Sequence, residues 1–137
     1  MSVVGVPSTS RSTDGGLTWG TPVLTENSSL SPDKNWIVCD NTSTSPFYGN
    51  CYTEWDDSSD GNRIYMSTST DGGLTWGVGL KTANNATGIG GQPVVQPNGT
   101  VIVPIDNANE TALQAFNSTN GGVTWKQRNA GTSADFT

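Results

Sequence analysis

Apolar and polar residues alternate along this chain in short runs separated by turn-forming clusters, the pattern of strands with one buried face. Residues 3–9 alternate as one strand and 19–25 as the next, followed by a polar loop over 26–34. From Asn35 the chain reads Trp-Ile-Val-Cys-Asp-Asn, passes through Thr-Ser-Thr-Ser-Pro-Phe-Tyr-Gly, and resumes as Asn-Cys-Tyr-Thr-Glu-Trp-Asp. Two alternating runs around a Pro/Gly loop predict a hairpin. Further strands are predicted over 63–70, 75–81, 93–96, 101–106, 111–117 and 124–128, with Pro97-Asn98-Gly99-Thr100 as a turn. Pro104 interrupts one of these runs. It has no N–H to give a ladder, so its strand must carry a bulge or an exposed edge there.

One stretch between the strands recurs. Ser-Thr-Asp-Gly-Gly-Leu-Thr-Trp runs from Ser12 to Trp19, returns unchanged from Ser69 to Trp76, and comes back as Ser-Thr-Asn-Gly-Gly-Val-Thr-Trp from Ser118 to Trp125. The offsets of 57 and 49 residues suit repeated small antiparallel sheets. Each copy reads as a tight hairpin. The Asp or Asn accepts hydrogen bonds from turn amides, the Gly pair supplies positive φ, and the Thr opens the outgoing strand. The Trp is expected to pack back over the turn.

These residues resemble the Asp-box, or bacterial neuraminidase, repeat of sialidase-like β-propellers, whose pattern is Ser-x-Asp-x-Gly-x-Thr-Trp. Two copies match it in full, and the third carries Asn120, which keeps the accepting oxygen and loses the charge. The resemblance implies an all-β fold, a β-propeller segment of about two and a half four-stranded antiparallel blades. With strands lettered A to D from the axis outward, each box closes a C–D hairpin. Residues 1–30 are then a partial blade with strands C and D alone, 31–83 and 84–130 are blades, and 131–137 are a tail or the start of another. The resemblance also places the box residues at the blade periphery, away from any catalytic centre, as folding devices. These are Ser12, Asp14, Gly16, Thr18 and Trp19, then Ser69, Asp71, Gly73, Thr75 and Trp76, then Ser118, Asn120, Gly122, Thr124 and Trp125. Asp33-Lys-x-Trp-Ile, Ser45-Pro, Gly49 and Tyr52-x-x-Trp-Asp add a likeness to secreted sialidase-like repeat proteins.

Composition narrows the function classes. Gly, Ser, Thr and Asn supply 64 of 137 residues and the apolar content is 32%, so the core must lean on five Trp with interleaved Val and Ile. The net charge is −6 and no Lys/Arg cluster exists, which makes nucleic acid and anionic membrane poor partners. No apolar run approaches the ~20 residues of a membrane span, so membrane insertion is not expected. The first six residues lack the basic start and apolar length of a signal peptide. The absence of His excludes His-based catalysis.

Cys39 and Cys51 fall in phase on the two arms of one hairpin, where a disulfide fits better than two free thiols or a metal pair. A disulfide points to an oxidising compartment, secreted or at the cell surface. In a propeller, the B–C and D–A loops share the face on which sialidases work. Here that face would carry Asp33, Lys34, Asp56, Asp57, Asp60, Arg63, Asp106 and Glu110, mostly carboxylates. The resemblance implies a clasp of three arginines on the substrate carboxylate, a Tyr/Glu nucleophile pair and an acidic general acid/base. This chain has only Arg11, Arg63 and Arg128, which are not expected to converge, and it lacks an Arg-Ile-Pro motif. Tyr52 and Glu54, two apart on one strand, and Arg63 are the catalytic candidates, although a non-catalytic strand explains the first two better.

Asp56, Ser58 and Asp60, followed by Gly61 and Asn62, mimic the start of a calcium loop; the twelfth position is Ser67 rather than Glu. Calcium is therefore the one candidate cofactor, against a solvated turn. Phe47 and Tyr48 in the A–B loop are candidates to stack on a sugar, with Asp33, Lys34 and Asp106 as polar ligand-binding candidates. Asn27, Asn41, Asn85, Asn98, Asn109 and Asn117 stand in N-glycosylation sequons. The expected function is a secreted, non-catalytic sialidase-like module, either scaffold or carbohydrate binder. Its expected partners are further blades of a longer chain or other copies of itself. The alternatives are a piece of an exo-sialidase-like glycoside hydrolase whose arginines and nucleophile lie on other blades, and a surface or filament protein.

Overall fold

A computed structural model of the protein describes residues 5–25 and 31–129. Expectations for residues 1–4, 26–30 and 130–137, the terminal segment and the sequon at Asn27 among them, lie outside the described residues.

Ten strands and one 3₁₀ turn form the described chain, in three antiparallel sheets. β1 (Ser8–Thr9) and β2 (Val23–Leu24) pair alone. β3 (Pro32–Cys39), β4 (Cys51–Asp57), β5 (Arg63–Ser69) and β6 (Leu80–Lys81) follow in spatial order, and so do β7 (Val94–Val95), β8 (Val101–Asp106), β9 (Leu113–Ser118) and β10 (Lys126–Asn129). The result is one two-stranded and two four-stranded meanders, a propeller segment of about two and a half blades.

The A and D strands are shorter than the alternation suggests. Residues after the first two repeated turns bond as loop instead, as where the Gly77 amide meets the Thr68 carbonyl at 2.9 Å. β3, by contrast, begins earlier than expected, at Pro32. A bulge between Asp33 and Trp36, with Lys34 at φ 53°, lets that polar stretch join the ladder. Pro104 is accommodated at an exposed gap. On its inner side its strand bonds to Ile89 through Asp106 and to β7 through Ile102, and the proline sits between the two, where no inner strand faces it.

The three repeated turns share one bonding scheme. In the first, the Gly16 amide donates to Ser12 Oγ at 2.8 Å and the Thr18 amide to Asp14 Oδ1 at 3.0 Å, while Thr18 Oγ1 donates to Asp14 Oδ2 at 2.6 Å. The second repeats this around Asp71. In the third, the Thr124 amide still donates to Asn120 Oδ1 at 3.0 Å, and Asn120 Nδ2 donates to Thr124 Oγ1. The hydroxyl changes from donor to acceptor and the turn keeps its shape.

The core lies between the second and third blades. Tyr52, Ile64, Met66 and Ala86 meet Val101, Val103, Ile105, Phe116 and Trp125 there. The turn tryptophans show how blades dock. Trp125 is only 2% exposed, edge-on to Phe116 and Tyr52; Trp76 is half-buried and donates Nε1–H to Thr9 of the first blade; Trp19 is 65% exposed. Trp19 lies over its own turn as expected, its ring 3.8 Å from where a Gly16 side chain would begin, whereas Trp76 and Trp125 also reach onto the blade before them. Trp19 has no such blade among the described residues.

Register makes the two larger sheets equivalent position by position. With Ser69 set against Ser118, the receiving face Tyr52, Glu54, Ile64 and Met66 corresponds to Ile102, Pro104, Leu113 and Ala115. In the third blade this face stands uncovered among the described residues, with Leu113 exposed over a groove of about 480 Å³ shared with Ile89 and Pro104.

Candidate functional site

The ends of β3 and β4 and the turn after them gather the acidic candidates at one end of the second blade. Asp33 faces Asp56 across the β3–β4 ladder, and the exposed Lys34 ammonium reaches only back to Asp33, at 3.5 Å. Asp57 turns the other way and caps the 3₁₀ turn, accepting from the Ser59 amide at 2.9 Å. Asp60 accepts from Tyr65 Oη at 2.8 Å and pairs with Lys81 at 2.9 Å, and both contacts hold its carboxyl below the usual range.

The candidate calcium ligands are therefore dispersed. Asp56 is buried between blades, Ser58 Oγ donates to Ser31 Oγ at 2.8 Å, and Asp60 is held by Lys81 and Tyr65. Strand alternation sends them in different directions, and no group of three or more acidic, Cys or His side chains is placed to hold a metal among the described residues.

The catalytic candidates are not brought to a surface. Tyr52 and Glu54 share a face as expected, but both are sealed beneath the third blade. Tyr52 packs against Trp125, and a side chain on Gly91 would collide with the Glu54 carboxyl. A nucleophile so covered has no path to substrate. Arg63 Nη1 donates to the Asn85 carbonyl at 2.7 Å, with Nε 3.7 Å from Asp60, so its guanidinium is occupied by the chain itself. Arg11 lies at the opposite end, its guanidinium 3.5 Å from where a Gly72 side chain would begin. These two arginines do not converge, and the Arg128 side chain lies outside the described residues.

Burial shapes the charges of the buried pair. Desolvation, with Asp56 adding repulsion, pushes the Glu54 carboxyl up to about 9. Desolvation first, and then Asp33, pushes Asp56 up to about 6. Alternation alone does not reveal this acid, because Glu54 occupies a position that the equivalent strand fills with Pro104. The available signal was an ionisable residue in phase with Tyr52 in the middle of a strand, two residues before Asp56.

The ligand-binding candidates fall at two separate ends. Asp33, Lys34 and Asp106 lie at the carboxylate-rich end, where the Asp106 backbone is tied to Ile89. Phe47 and Tyr48 lie at the other, in a loop held by the Cys39–Cys51 disulfide and by Asp40, which accepts from the Thr42 amide and from Ser45 Oγ. The Phe47 ring is wedged between Gly99 and Gly121 of the next blade, whereas Tyr48 is 63% exposed. A side chain on either glycine would begin 2.7 Å from that ring.

No protein-family model matches the chain, and no curated protein does. A solved structure, that of Hadza microbial sialidase Hz136, superposes with a TM-score of 0.60 at 15% identity, over 88% of this chain. The chain spans 30% of that sialidase's length. The likeness is one of fold: the chain has a sialidase-like β-propeller architecture. A disulfide joins Cys39 and Cys51, and no helix of the described residues is long and apolar enough to cross a membrane.

Proposed function

We propose that this chain is a secreted, non-catalytic sialidase-like module that acts as a scaffold or carbohydrate binder. The observation that carries this reading is the state of its arginines. Arg63 is bound to Asn85 and Asp60, Arg11 is at the far end, and the end that holds Arg63 also carries Asp33, Asp60 and Asp106. Such a face repels the carboxylate of a sialoside and suits a neutral glycan. Calorimetric titration with neutral oligosaccharides, beside a fluorogenic sialoside assay, tests it. Binding without turnover supports the binder, neither signal leaves the scaffold, and turnover of the sialoside defeats the reading.

A second reading is favoured by the share of the microbial sialidase that this chain spans, 30%. In it the segment is a structural portion of a glycoside hydrolase whose clasping arginines and nucleophile stand on other blades. Both readings place a further blade, or a second copy of the chain, on the uncovered face of the third blade around Leu113 and Pro104.

A further inference from the structure

Glu54 is carried by β4 into the seam between the second and third blades, where it is 0% exposed and neither carboxyl oxygen meets a hydrogen-bond donor. Gly91, in the connection from β6 to β7, lies directly against it. On its own strand Asp56 acts on it directly and the Tyr52 phenol shares its face; the other groups that titrate or carry charge on the strands packed around it are Asp33 and Lys34 on β3, Arg63 on β5 and Asp106 on β8. β7 and the connection over residues 82–93 have none. Lys34 is paired with Asp33, and Arg63 with Asp60 and the Asn85 carbonyl, so neither cation is directed at Glu54. A carboxylate ion sealed into such a place, beside a second carboxyl and without donors, is far costlier than the uncharged acid.

We propose that folding takes up a proton on Glu54, and that this proton locks the second blade to the third, the seam along residues 88–95 opening when it is lost. The close approach of Gly91 supplies the mechanical link, because a solvated carboxylate needs water where the glycine backbone now stands. Burial pushes this carboxyl up to about 9 from an ordinary 4.5. The folded state therefore holds a proton that the unfolded chain has released, and stability falls as pH rises across that interval. Asp56 follows the same sign but only up to about 6. Between about pH 6 and 9, then, Glu54 alone of the pair sets the slope.

Urea unfolding of the whole chain at several pH values, for the native sequence and for Glu54→Gln, measures it. The native folding constant is expected to drop close to tenfold per pH unit between about pH 6 and 8, and the Gln variant to lack that drop. Equal slopes in the two proteins overturn the proposal. Should the variant not fold, infrared titration of the native protein decides alone: a protonated-carboxyl band persisting at pH 7 and lost near pH 9 supports it, and fully ionised carboxyls at pH 7 overturn it. Hydrogen exchange reads the opening. Amides of residues 88–95 that keep their full protection above pH 9 overturn the lock.

Discussion

The Trp125 indole meets the Tyr52 ring edge-on, 85° between planes and 6.1 Å between centroids, joining the turn of one blade to the second strand of the blade before it. The same motif position in the first turn, Trp19, is largely exposed. Replacing Trp125 by Ala should therefore cost about 3–5 kcal/mol, as for a buried aromatic. Trp19→Ala should stay within about 0.5 kcal/mol. Equal losses in urea unfolding of the two variants would contradict blade-on-blade docking by these residues.

Asp71 holds the second turn through the Thr75 amide and hydroxyl, and Asn120 holds the third with the carboxylate replaced by an amide. Asp71→Ala is expected to lower the melting temperature, and Asp71→Asn to lower it less. A melting temperature unchanged by the alanine would remove the turn-holding role from this side chain.

The acid limb follows from the same bonds. The Thr18 hydroxyl and amide, together with Ser12, hold the Asp14 carboxyl down to about 2 from 3.8. A depressed carboxyl contributes stability that is complete above its unfolded value and fades as pH falls through the folded one. Melting curves between about pH 4 and 2 should thus fall more steeply for the native chain than for Asp14→Asn. Parallel curves would show that the carboxylate adds nothing there.

Cys39 and Cys51 close a loop with a sequence separation of 12 residues, for which chain entropy predicts a stabilisation of roughly 3 kcal/mol. Intact mass after alkylation without reductant should show no added groups. Reduction should lower the urea midpoint accordingly, and two alkylated thiols in oxidised material would count against the bond.

The uncovered face of the third blade repeats the positions by which the second blade receives its neighbour, and Leu113 stands exposed on it. Exposed sheet faces of this kind drive association. Light scattering at rising concentration should report a mass above that of one chain, and Leu113→Asp should return it to a monomer. A native chain that stays monomeric at high concentration would show that this face is stable bare.

Strand order was legible in the sequence because alternation and repeated turns act locally. The Ser12, Ser69 and Ser118 turns each satisfy their own amides, so their residues announce themselves. The Cys39–Cys51 pairing was legible for the same reason, since a single hairpin sets its register. What faces what between blades was not legible. Tyr52 and Glu54 read as a pair able to work on a substrate, and only the packing of Val101, Val103 and Phe116 over that strand shows them covered. The Asp60–Lys81–Tyr65 cluster escaped notice because its members meet across a ladder rather than along the chain. Asp56, Ser58 and Asp60, which read as one loop pattern in the sequence, take separate contacts where strand alternation turns them apart.

Phe47 supplies a mechanical consequence. Its ring stands between Gly99 and Gly121, two turns of the adjoining sheet, like a key in a slot. Its own loop is anchored at the base by the disulfide and by Asp40. Sliding one sheet along the other must drive the ring into backbone, while lifting the sheets apart at this joint draws the ring out of its slot. The joint therefore resists shear and yields to peeling. Force applied along the strands should meet a higher rupture threshold than force applied across the seam, and trimming the ring to alanine should abolish that anisotropy.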